Sequence, residues 1–116
     1  MGNNIFNKNS RRQLPVKLMD IAKVIRSKNA GPRCITLDIM FANEVDFKRA
    51  CSSEGLSKKS ISELYDIHEN QIKEIQYPIS MAIKYSLPRK ITAGDPGDKD
   101  VYGAQQHARL FNLEIE

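Results

Sequence analysis

The sequence predicts an α+β domain, a small sandwich in which a mostly antiparallel sheet carries helices on one face. Three observations lead there. Cys34 to Phe41, CITLDIMF, is dense in β-branched and apolar residues and reads as a central strand. Ile75, Tyr77, Ile79, Met81, Ile83, Tyr85 and Leu87 alternate with a period of two, the spacing of a strand with one buried face. Between these runs, two stretches carry apolar residues at helical spacing. Strands and helices that come in separate runs, and not in strict alternation, indicate the α+β class.

Taken in order, residues 1–16 are polar, Asn-rich and basic, and are expected to form a disordered tail. The Met-Gly start is not a myristoylation signal, because Phe6 stands where that motif wants Ser or Thr. Residues 17–116 are expected to form one domain. Leu18, Ile21, Ala22 and Ile25 favour a short helix, with a strand entering through Val16 and Leu18 as the alternative. Asn29, Gly31 and Pro32 then end regular structure. After the central strand, Val45, Phe47, Ala50 and Cys51 mark the inward side of a helix over 44–51 that stops at Gly55. Ser57 is the natural N-cap of the next helix, which buries Ile61, Leu64 and Ile67. His68 falls near its end and reads as a surface residue. Strands follow over 71–77 and 80–87, broken at Pro78. A helix over about 101–110 and an extended segment through Leu113 and Ile115 close the chain.

The chain has 116 residues, 41% hydrophobic and 28% charged, with a formal net charge of +4. That length supports one modest core but no deep pocket enclosed by a second domain. The positive charge is compatible with an anionic ligand. Nucleic-acid binding is not favoured, since no ribonucleoprotein motif, zinc spacing or helix-turn-helix pattern is present. Cys34 and Cys51 lie in no CxxC motif and read as reduced thiols. There is no long apolar run and no signal-peptide core, so the expectation is a cytoplasmic protein without a membrane segment.

Two segments carry more chemistry than a core requires. The first is Gly94 to His107, GDPGDKDVYGAQQH, with three carboxylates, two glutamines and one histidine. Gly94, Gly97 and Gly103 permit tight backbone turns there, and Pro96 stiffens one of them. Asp95, Asp98 and Asp100 would repel an anion. They could instead bind Mg²⁺ or Ca²⁺, or pair with cations of this chain or of a partner; the spacing is not that of an EF-hand, and no cofactor is assigned. His107 is the candidate for proton transfer, assisted by Asp95 or Asp98. Gln105 and Gln106 can recognise a carboxylate or carbonyl. The second segment is Arg26 to Pro32, RSKNAGP. Arg26 and Lys28 can grip a carboxylate or phosphate, with Ser27 and Asn29 as polar neighbours and Gly31 shaping the turn. Asp38, inside the central strand, either faces solvent or pairs with a cation. The two segments are read together as one charge-complementary site. Three functions remain open on these residues: an enzyme subunit, a non-catalytic interaction module, or a stand-alone anion- or metal-binding protein.

The segments KLMDIAKVIRSKNAGP, TLDIMF and PRKITAGDPGDKDVYGAQQHARLFNLEIE resemble a family of small proteins of unknown function, each about this length. Its members are typically encoded beside, or fused to, proteins similar to the acyclic terpene utilisation protein AtuA. The resemblance covers roughly residues 17–116. A further likeness links Arg26–Gly31 to the Arg-Ser-Gly-Asp-Lys-Gly loop of the small C-terminal domain of AtuA-like proteins. Lys28-Asn29 stands here where that loop has Gly-Asp. That domain is ferredoxin-like, so the resemblance implies a ferredoxin-like version of the sandwich. It also implies an AtuA-like large subunit or fused domain as partner, a small carboxylic acid or acyl-CoA as substrate, and hydro-lyase or carbon–carbon lyase chemistry. Homo-oligomerisation is compatible with the same picture.

Overall fold

The computed structural model of the protein describes residues 14–89, 94, 96–97 and 106–116. Strand β1 (Val16–Lys17) runs into helix α1 (Leu18–Ile21), and strand β2 (Ala22–Asn29) follows directly. Strand β3 (Cys34–Phe41) precedes helix α2 (Glu44–Cys51), a 3-10 turn at Glu54–Leu56, and helix α3 (Lys58–Tyr65). A second 3-10 turn (Glu69–Gln71) leads to strands β4 (Lys73–Tyr77) and β5 (Ala82–Pro88). A third (Gln106–Leu110) precedes strand β6 (Glu114–Ile115). The four-stranded sheet has the order β2-β3-β5-β4, and β1 pairs with β6 in a separate two-stranded sheet. All of these pairings are antiparallel. The described chain is therefore an α+β fold with antiparallel sheets.

Three expectations are corrected. The first helix is a single turn, and residues from Ala22 onwards are strand. One helical turn is marginal by itself. Pairing of Ile25 with Ile39, and of Ser27 with Leu37, gives the same residues a ladder, irregular only between Ala22 and Val24, and suits the β-branched Val24 and Ile25. Segment 26–29 is accordingly strand, not loop.

The second correction concerns Val45, which is 69% exposed. Asn43 caps α2 by accepting the Asp46 N–H at 2.8 Å, and this phase turns Phe47 and Ala50 into the core. Val45 then lies about 200° round the helix from Phe47. The cap expected of α3 is as read: the Ser57 hydroxyl accepts the Ser60 N–H.

The third correction is the buried face of the last two long strands. Ile83, Tyr85 and Leu87 are buried, but Ile75 and Tyr77 are exposed and Ile79 wholly so. The hairpin pairs Tyr77 with Ala82 and Ile75 with Lys84. Odd residues of β4 therefore share a sheet face with even residues of β5. Four residues, 78–81, make the reversal, with Met81 in a left-handed conformation. A period-two pattern survives such a turn in the sequence although the two strands face opposite ways.

One face of the sheet is packed. Leu37, Ile39, Ile83 and Tyr85 meet Phe47, Ala50, Leu56 and Ile61 from the helical layer, and Leu110 and Ile115 from the closing segment. The opposite face carries Arg26 and Lys28 of β2, Thr36 and Asp38 of β3, Lys84 and Ser86 of β5, and Lys73 and Ile75 of β4.

The closing segment is pinned by polar contacts. Arg49 donates from Nη2 to the Leu14 carbonyl at 2.7 Å and from Nε to the Glu116 carbonyl at 2.9 Å. The Ser53 hydroxyl donates to Glu116 Oε1 at 2.7 Å, and the Glu54 N–H to the same oxygen at 3.1 Å. The Ser53 bond, more than any other contact, holds the Glu116 carboxyl below its ordinary pKa. Its folded-state pKa is depressed, so its stabilising contribution is present above the ordinary carboxylate range and is lost as pH falls through the folded value. Glu116→Gln is expected to flatten part of the acid-induced loss of stability. Urea midpoints of both proteins at about pH 7 and about pH 3 check this; parallel losses would contradict it.

Candidate functional site

Strand alternation sorts the Arg26–Asn29 segment into two sets. Ser27 is buried, and on its side of the sheet lies the third 3-10 turn. Arg26 and Lys28 project from the opposite face. Arg26 Nε lies 3.6 Å from Asp38 Oδ2, so Asp38 pairs with a cation. These four neighbours therefore do not converge on one ligand.

The structure does bring Ser27 and His107 together across 80 residues of sequence. Ser27 Oγ accepts the backbone N–H of His107 at 3.1 Å and lies 3.3 Å from its Nδ1. The Ser27–Nδ1 contact is a hydrogen bond whose direction follows the imidazole tautomer. In the tautomer that bears its proton on Nε2, Nδ1 accepts from this hydroxyl. The ring of Phe111 meets the imidazole edge-on, with centroids 5.3 Å apart.

The turn bearing His107 is anchored to α3. The Tyr65 hydroxyl donates to the Gln106 carbonyl at 2.8 Å. Burial pushes the Tyr65 hydroxyl pKa upwards, against a smaller opposite effect from Arg109, so it stays a neutral donor. Arg109 stacks over the Tyr65 ring at 5.5 Å and donates to the Leu64 carbonyl at 3.3 Å. Two elements thus fix the imidazole: an edge strand through Ser27 and a helix terminus through Tyr65.

Asn29 is engaged elsewhere, accepting from Arg89 Nη1 at 2.8 Å. The Ala30 N–H closes the β2–β3 hairpin on the Cys34 carbonyl at 2.9 Å, and Gly31, at φ +102°, supplies the left-handed residue that this reversal needs. Gly94 and Gly97 also have positive φ. Asp95, Asp98, Asp100, Gly103 and Gln105 lie outside the described residues. His68 is exposed.

Cys34 and Cys51 are free and half-buried. Burial, then the Glu74 charge, pushes the Cys51 thiol pKa up. Among the described residues no cluster of three or more His, Cys, Asp or Glu is placed to hold a metal. No helix among them is long and apolar enough to cross a membrane.

Chemically, the arrangement is an imidazole held at one nitrogen by a buried hydroxyl, with no described residue hydrogen-bonded to the other; such a nitrogen can exchange a proton. Sequence reading singled out both residues but not their contact. The signal was present as alternation: Ile25, Ser27 and Asn29 against Arg26 and Lys28. The roles of Tyr65 and Arg109 were not legible, since nothing local ties residue 65 to residue 106.

A family model described as "Domain of unknown function (DUF4387)" matches residues 18–114. No curated protein and no solved structure matches the chain.

Proposed function

The chain belongs to the family of this domain of unknown function, DUF4387; we propose that it is the small subunit of a two-component catabolic enzyme. Its partner in this reading is an AtuA-like large subunit. The substrate class is a carboxylic acid or acyl-CoA, and the reaction a hydro-lyase or carbon–carbon lyase step. A ferredoxin-like relation to the small domain of AtuA-like proteins belongs to the same proposal.

The observation that carries it is the Ser27–His107 pair. A histidine serving only as surface needs no buried hydroxyl on Nδ1 and no anchored turn beneath it. Such an anchor is what general acid–base chemistry requires, because proton transfer depends on a fixed nitrogen within hydrogen-bond reach of the reacting atom. His107 is the proton-transfer residue of this reading, acting through Nε2. Ser27 is the positioning residue. The partner supplies the remainder of the pocket, and the long specific loop motifs support that partner.

The test uses the full chain purified together with the AtuA-like protein encoded beside it, assayed for hydro-lyase and lyase turnover. His107→Ala is expected to lower kcat by roughly 10²- to 10⁴-fold while the complex still assembles. Ser27→Ala is expected to shift the pH–rate profile as well as lower kcat, an effect that a purely structural role would not produce. An assembled His107→Ala complex with full turnover would sink the catalytic assignment and leave the joint as a docking surface.

A further inference from the structure

The face of the four-stranded sheet opposite the helical layer carries a second constellation. Lys28, Thr36, Ser86 and Lys73 form one cross-strand row, and Arg26, Asp38, Lys84 and Ile75 form the next. Beyond them lie Val24, Met40, Ala82 and Tyr77. Asp38, the one carboxylate in these rows, is already paired with Arg26. Among the described residues Lys28, Lys73 and Lys84 make no ion pair. Among the described residues, three positive charges around a single point of the sheet therefore lack a carboxylate partner.

That point carries a hydroxyl. Thr36 spends its proton on the Lys28 carbonyl at 3.4 Å. Ser86 makes no side-chain hydrogen bond among the described residues, so its hydroxyl can donate to a ligand. Lys28 and Lys73 stand on the two edge strands, three strand spacings or about 14 Å apart, a span that two lysine stems can close from either side.

We propose that this face binds an organic diphosphate, with Lys28, Lys73 and Lys84 around the phosphoryl oxygens and Ser86 beneath them. A phosphate monoester carries only about −1.5 to −2 near neutral pH, so three lysines are matched by two linked phosphoryl groups and not by one. The neighbouring Met40, Ile75 and Tyr77 give the organic part an apolar surface. Tyr77 is the one aromatic residue in these rows, whereas single-stranded nucleic acid is held by several stacked aromatics. The site lies on the opposite sheet face from His107 and does not depend on the function proposed for that residue.

Calorimetric titration of the full chain tests it, with inorganic phosphate, inorganic pyrophosphate, ADP and isopentenyl diphosphate as probes. Pyrophosphate is expected to saturate and to bind at least about tenfold more tightly than phosphate. Lys28→Gln/Lys73→Gln/Lys84→Gln is expected to weaken it at least about tenfold, and Lys58→Gln/Lys59→Gln on α3 to leave it unchanged. The three single substitutions, each with a smaller loss, keep the test usable if the triple variant unfolds. Tighter binding of ADP or of isopentenyl diphosphate than of pyrophosphate supports the proposal and names the organic part. No saturable pyrophosphate binding, equal affinity for phosphate, or an equal loss in the α3 variant would overturn it. So would a short RNA oligonucleotide that binds through these lysines while pyrophosphate fails to displace it. Neither organic probe exceeding pyrophosphate would overturn the assignment of an organic diphosphate.

Discussion

Gly55→Ala is expected to cost about 3 kcal/mol or more of folding stability, at or above the upper end for an overpacked site. A Cβ at Gly55 would overlap the Glu114 carbonyl oxygen, lie 2.8 Å from Leu113 Cδ2 and 3.3 Å from the Glu114 carbonyl carbon. The nearest obstacle is backbone, so no side-chain rotation relieves it. Moving Glu114 would disturb its pairing with Lys17 and draw the fully buried Ile115 from the core. Moving Gly55 instead would break its N–H bond to Ser53 Oγ at 3.1 Å, the cap of the first 3-10 turn. Urea unfolding with circular dichroism measures the loss. A change below about 1 kcal/mol would mean that the closing segment yields freely.

Tyr85→Phe is expected to cost about 1–3 kcal/mol although it keeps the ring. Tyr85 is wholly buried, and its hydroxyl donates to the Leu56 carbonyl at 2.6 Å. Burial first, with the Glu74 charge beside it, pushes the hydroxyl pKa upwards, so the donor stays neutral throughout the physiological range. Phenylalanine would leave a carbonyl in the core without its donor, and that desolvation is the source of the loss. Tyr77→Phe on the other sheet face is the control, expected within about 0.5 kcal/mol. Both large effects pass through Glu54–Leu56, the short turn that joins the sheet core to the closing strand. Because they share that segment, the Gly55→Ala/Tyr85→Phe double variant should lose less than the sum of its parts. Full additivity would show that the turn transmits nothing between them.

The α+β class, the central strand and both main helices were legible because each rests on a local pattern. CITLDIMF is buried along most of its length, and such strands read as continuous apolar runs. Ser57 and the stripe through Ile61 place α3 without reference to any other element. Residues 22–29 failed the same approach. The apolar spacing of Leu18, Ile21, Ala22 and Ile25 fits a helix over two turns, but the backbone partners offered by β3 are outside any local window. Ile75 and Tyr77 failed for a related reason: a four-residue reversal changes which parity faces inward, and the turn's register is a tertiary fact.

The candidate site divides along the same line. The sequence by itself determined which residues had chemistry to offer: His107, Ser27, Arg26 and Lys28, all set down in polar segments. Only the tertiary structure decided which of them meet. Alternation along β2 sends Ser27 to the helical side and Arg26 and Lys28 to the other side, because successive strand residues point to opposite faces. The fold then carries residue 107 back across 80 positions to the Ser27 hydroxyl, and cross-strand register gathers Lys28, Lys73 and Lys84. Composition names the available groups, but distance between groups far apart in the chain is set by the packing of the core that holds them.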